Sequence, residues 1–193
     1  MSRQIKAVTL IELLIAIVIM TVVILSFNGM DMFSRRHVIA TDRRVKTQNE
    51  AAYVIEFMAK ELTRAIGDQR NPPASIISIG TDPAIAFWVD QNQNGLRDSS
   101  PTDRQIAFSY RGSPNYEMRY YPDFSGNPAN YEVLSSCVAM SGFGPVITDN
   151  YVTFEITACW DPKLIKTTSP CGSLDNPRVT MHSRVSMPSV STN

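Results

Sequence analysis

The sequence predicts an α+β fold: a long N-terminal helix, half membrane-spanning and half amphipathic, packed on an antiparallel β-sheet head. Three observations lead to it. An apolar run covers residues 8–27, apolar residues at three- and four-residue steps continue to residue 66, and short β-type runs separated by turn residues follow Pro73. The chain of 193 residues suits one modest domain with appendages.

The apolar run comes first. From Val8 to Phe27 there are 20 residues, with Glu12 the only charge and Thr9, Thr21 and Ser26 the only hydroxyls. Roughly 20 apolar residues in a helix cross a hydrocarbon core. A cleaved secretory signal has a shorter apolar region followed by a small-residue cleavage site, and no such site follows here. A buried core helix of this length would be unusual in so small a protein. Flanking charge leaves the orientation open: Arg3 and Lys6 precede the run, while Arg35, Arg36, Arg43 and Arg44 follow it.

Residues 28–73 extend the helix and link it to the head. In "NEAAYVIEFMAKELTRAI", Ala51, Val54, Ile55, Met58, Leu62 and Ile66 recur at helical steps. Glu50, Glu56, Lys60, Glu61 and Arg64 fall elsewhere around the helix. This is an amphipathic helix that needs an apolar partner. Gly67 and "NPP" at 71–73 stop it, and Gly29 marks a possible bend.

Residues 74–193 read as the β-rich head. "ASIISIG", "AIAFWVD", "RQIAFSYR", "NYEMRYY" and "YEVLSSCV" have the β-branched and aromatic content of strands. "YVTFEITAC" and "RVTMHSRVSM" alternate apolar and polar residues. One antiparallel sheet with an apolar face would cover the helix stripe. The final "PSVSTN" reads as a short polar tail.

Charge and cysteine content narrow the chemistry. Overall charge balances, but from residue 74 onward eight Lys/Arg face eleven Asp/Glu, a net −3. That disfavours nucleic acid as a partner, since nucleic-acid binding heads carry a basic footprint. Cys137, Cys159 and Cys171 all lie in the head. A Cys159–Cys171 bridge would close a short polar loop and contribute on the order of 2–3 kcal/mol in an oxidising compartment. Cys137 competes as a partner for either, and three reduced thiols are the alternative. His37 and His182 show no ligand spacing with the cysteines.

One loop has the residues for a hard cation. "DQNQNGLRD" places Asp90, Asn92 and Asn94 at positions one, three and five, Gly95 at six and Asp98 at nine of a calcium-type loop. Position twelve is Pro101 instead of a bidentate acid, and strands flank the loop where such loops have helices. A hairpin turn on Asn94-Gly95 explains the same residues without calcium. Asp103 is close enough in sequence to fold back with a further carboxylate. No nucleophile elbow, phosphate loop or paired-carboxylate motif is present, so no enzymatic activity is expected.

The N-terminal "KAVTLIELLIAIVI" resembles the cleavage and methylation motif of type IV prepilins. Thr9, Leu10 and Ile11 match its pattern, while Ala7 and Val8 stand where Gly and Phe are usual. Glu12 falls at the fifth position of the mature chain. The head segments "FWVDQNQNGLRD", "RQIAFSYRG" and "YEMRYY" are similar to those of minor pilins and J-type minor pseudopilins.

The resemblance implies a route. Residues 1–7 would be a cytoplasmic leader, removed by a prepilin peptidase between Ala7 and Val8, with Val8 then N-methylated. The head would be periplasmic. The subunit would wait in the inner membrane for an assembly platform to insert it among other pilin or pseudopilin subunits.

It also implies that Glu12 pairs with a neighbouring subunit's amino terminus. A charge deep in a bilayer costs a few kcal/mol, so a retained acid needs a partner. Two function classes follow: a minor structural subunit that initiates or caps a type IV pilus or type II secretion pseudopilus, or a pilus-associated module for adhesion or DNA uptake. The aromatic "SPNYEMRYYPDF" leaves an adhesive surface open.

Overall fold

The computed structural model describes residues 9–67, 72–98, 102–139, 143–148, 151–163, 171–187 and 189–190. One helix, α1, covers Leu10–Leu62, and the chain divides into two compact units at Thr41/Asp42, within that helix. Gly29 lies inside α1 and does not interrupt it.

In the first unit, up to Thr41, the apolar side chains of α1 are exposed from Leu10 to Ile39. The most apolar 18-residue window has mean hydropathy 2.9 and none of it is buried. The helix is long and apolar enough to cross a membrane. Beyond the apolar run, Arg35 pairs with Asp31 at 2.9 Å, one helical turn away.

The second unit holds the remaining helix and the strands. Thr47, Ala51, Val54, Met58, Glu61 and Leu62 form the buried stripe of α1, spaced by three and four residues. Five strands form one antiparallel meander in the order β2–β3–β4–β5–β6: Ala74–Ile79, Asp82–Val89, Arg104–Arg111, Glu117–Tyr121 and Glu132–Ser135. A second antiparallel sheet orders β7 (Val146–Thr148), β8 (Tyr151–Cys159) and β9 (Arg178–Ser186).

Both sheets and the α1 stripe close on one core. Ile85 and Phe87 from β3, Ile106 and Phe108 from β4, and Met118 and Tyr120 from β5 supply the meander side. Val152, Phe154, Ile156 and Ala158 supply the side of β8, whose alternate residues Tyr151, Thr153 and Glu155 are exposed. Phe57 of α1 meets Phe108 and Tyr120 edge-on, with ring centroids 6.1 and 5.0 Å away. Each fully buried large side chain contributes about 1.5–3 kcal/mol from water exclusion.

Three expectations need correction. The helix ends at Leu62, not near Ile66: Thr63 turns its hydroxyl onto the Lys60 carbonyl (2.7 Å), and Arg64 and Ala65 donate to the carbonyls three residues back. Ile66–Gly67 then forms β1, which pairs in parallel with β10, Ser189–Val190. The segment expected to be only a polar tail therefore contributes a strand. Finally, the strands form separate sheets, since β6 ends at Ser135 and β7 pairs with β8 instead.

Met58 fills the core with no exposure, whereas Ile76 on β2 is 59 % exposed. In denaturation of the full chain in detergent, Met58→Ala should cost about 2–5 kcal/mol. Ile76→Ala should stay within about 0.5 kcal/mol. Equal losses would contradict this placement of the core.

Candidate functional site

At the start of α1, Glu12 and Thr9 bond to each other. The Thr9 backbone N–H and hydroxyl both donate to Glu12 Oε2 at 2.8 Å, and the Glu12 N–H donates to Thr9 Oγ1 at 3.4 Å. The Thr9 carbonyl accepts the first helical bond, from Leu13 N at 3.2 Å. Thr9 is therefore the N-cap and Glu12 the third helical residue, which is a capping box. The T-x-x-E spacing of Thr9 and Glu12 is the signal in the sequence that points to this box. Ala7 and Val8 lie outside the described residues.

The remaining polar side chains of the run also bond within the helix. Thr21 Oγ1 donates to the Val18 carbonyl and Ser26 Oγ to the Val22 carbonyl, each at 2.8 Å. Asn28 Nδ2 donates to the Ile24 carbonyl at 2.9 Å. Such bonds remove the need for water around polar groups in an apolar helix.

The loop between β3 and β4 spans residues 90–103, so it is not a tight hairpin on Asn94-Gly95. Its oxygens receive backbone amides. Asp90 accepts from Gln93 N (2.5 Å) and Gly95 N (2.8 Å), Asn92 Oδ1 from Asn94 N (3.1 Å), and Asn94 Oδ1 from Leu96 N (2.7 Å). The amide nitrogens of Asn92 and Asn94 donate to Asp98 Oδ2. Gly95 takes a φ of +74°, which glycine adopts without strain.

Asp103 does fold back, and it is fully buried. Its two oxygens accept from Gln91 N (3.2 Å) and Asp98 N (2.6 Å) and so close the loop's base. Arg97 also lies over the Trp88 ring, 4.6 Å from its centroid. The described residues contain no group of three or more His, Cys, Asp or Glu side chains placed to hold a metal ion.

A disulfide joins Cys159 to Cys171, with Cα atoms 5.8 Å apart, and Cys137 is free. The bond closes a loop whose base has a second, non-covalent tie. Buried Asn176 pairs with the Asp161 backbone, accepting from its N–H and donating to its carbonyl, each at 2.9 Å. The His37 ring lies tilted against Phe33, with centroids 4.2 Å apart, and His182 contacts Glu155 at 3.3 Å on an exposed strand face. In the aromatic segment near β5, Met118, Tyr120 and Tyr121 are buried, while Tyr116 and Phe124 are half-buried.

Residues 2–27 match the family model described as the prokaryotic N-terminal methylation motif. The chain has the N-terminus of a type IV pilin-like protein. This prepilin-type N-terminus implies processing by a prepilin peptidase and assembly with other pilin subunits. Searches of curated proteins and of solved structures find no match.

Asp103→Ala would leave two backbone amides without their acceptor, at a cost of about 1–3 kcal/mol. Melting of the full chain in detergent should show that loss equally with calcium and with chelator. A calcium-dependent rise in the wild-type midpoint that Asp103→Ala abolishes would instead assign a cation to the loop.

Proposed function

We propose that this type IV pilin-like chain is a minor pilin or pseudopilin that helps initiate or cap assembly of a type IV pilus or type II secretion pseudopilus. Residues 1–7 are its cytoplasmic leader and 8–27 its membrane and assembly helix. Residues 28–73 form the amphipathic continuation and linker, and 74–193 a periplasmic head. Cleavage between Ala7 and Val8 and methylation of Val8 precede extraction from the inner membrane by the assembly platform. The role is structural, not catalytic.

Glu12 carries the proposal. It is the single charge between Val8 and Phe27, and its apolar neighbours are exposed. Thr9 satisfies part of the carboxylate's hydrogen-bonding capacity but leaves its negative charge uncompensated. A neighbouring subunit's new amino terminus supplies the compensating charge at the same depth of the filament. The pairing fixes axial register because an unpaired charge among packed apolar helices is strongly penalised.

Charge and cap are separable by substitution. Glu12→Gln keeps the capping geometry, since Gln serves at that position of a capping box. Glu12→Val removes both. Both variants should insert into the membrane, and both should lose incorporation on the order of tenfold. A charge-assisted hydrogen bond contributes about 1.5–3 kcal/mol, and each 1.4 kcal/mol is tenfold. Quantifying each variant in sheared filaments against the membrane pool checks this. Wild-type incorporation of Glu12→Gln, with failure of Glu12→Val, would assign Glu12 to capping alone. Gene deletion addresses the role itself: loss of filaments or secretion supports it, whereas intact filaments that fail to adhere contradict it.

A further inference from the structure

Strand β9 is the outer border of the three-stranded sheet. All nine of its residues, Arg178–Ser186, pair with β8 in unbroken register, and no Pro or Gly interrupts them. Among the described residues, no backbone group of β9 bonds beyond the β8 ladder. In a border strand, alternate N–H and C=O groups point away from the single neighbour. β9 is therefore an open edge. It is also longer than the other borders of the two larger sheets, which have six residues in β2, four in β6 and three in β7.

Burial falls off toward this edge. On the inner face, Phe154, Ile156 and Ala158 of β8 are buried, but Ser183, Met181 and Val179 opposite them are only half-buried. On the outer face, Arg178, Thr180, His182, Arg184 and Ser186 are all exposed. The strand carries two arginines and a histidine but no acid, on a head that is net negative. Among the described residues, neither arginine forms an ion pair. Arg184 lies over the Tyr151 ring, 4.2 Å from its centroid, and Glu155 contacts His182 instead.

We propose that β9 is a docking edge for an extended acidic segment of another protein, which joins the sheet as a fourth strand. The main-chain ladder supplies affinity and the alternating side chains supply selectivity. Directly opposed side chains of neighbouring strands share a face, and opposite charges there attract. Arg178 and Arg184 are six residues apart on one face, so the incoming segment carries acids six residues apart. Apolar residues at its alternate positions cover Val179 and Met181.

A second copy of β9 fits this edge badly. Antiparallel pairing centred on His182 sets the two His182 side chains opposite each other. It also places each Arg178 diagonally beside the other copy's Arg184, within reach of long side chains. Parallel pairing in register sets each arginine against itself. Like charges this close are unfavourable, whereas an acidic partner gains from the same positions.

The palindromic peptide EVTITVE has the required pattern in either strand direction. Its fluorescein-labelled, end-capped form is titrated with the full chain in detergent and followed by anisotropy. Binding should saturate, and the charge-reversed KVTITVK should bind at least about tenfold more weakly. Only one edge of an added strand faces β9, so N-methylating one alternate set of peptide amides should abolish binding and methylating the other should not. Hydrogen exchange of the 178–186 amides should slow on binding. The double variant Arg178→Glu/Arg184→Glu, shown to be folded by circular dichroism, should prefer KVTITVK.

No saturable binding of EVTITVE, or equal binding of the two peptides by the wild type, overturns the proposal. Equal binding of both N-methylated forms, or protection outside β9 alone, overturns it as well. Wild-type dimers in analytical ultracentrifugation without peptide, lost in the double variant, would assign the edge to a second copy instead.

Discussion

Apolar surface must leave water, and α1 meets that constraint in two different ways along its length. Between Thr47 and Leu62 its buried stripe packs into a core shared with two sheets. Between Leu10 and Phe33 its large apolar side chains are exposed within the chain's own fold. At roughly 25 cal/mol per Å² of apolar area, that exposure is unfavourable in water. Lipid or the helices of other subunits would remove it, and a prepilin-type N-terminus is consistent with a membrane anchor and implies assembly with other pilin subunits.

Local hydrogen bonding adapts the exposed stretch to that role. Thr21, Ser26 and Asn28 spend their donors on helix carbonyls, and Thr9 and Glu12 cap each other. What remains is a net charge on Glu12. A capping box explains why an acid is compatible with the helix start; it does not neutralise that acid in an apolar setting. The proposed pairing between subunits supplies the missing term.

Much of the fold was legible because its signals are local. The alternation in "YVTFEITAC" became β8 with Val152, Phe154 and Ile156 inward, and "RQIAFSYR" coincides with β4. The stripe through Ala51, Val54, Met58 and Leu62 follows from helical spacing alone. What was not legible depends on distant partners. Ile66–Gly67 and Ser189–Val190 are too short to show a period, and each is a strand only because the other lies beside it. The division into two sheets is likewise a matter of which strand β7 meets. At the sites, the Thr9–Glu12 spacing was visible, whereas the burial of Asp103 and its bonds to the Gln91 and Asp98 amides arise only from folding.

In the proposed route, Glu12 awaits an amino terminus created by cutting the chain before Val8. Intact-mass and N-terminal analysis of the protein recovered from membranes of its own host tests this most directly. A mature chain beginning at Val8 with a methylated amino group is the expected result. A chain that retains Met1 or any other part of residues 1–7 in assembled filaments would contradict it.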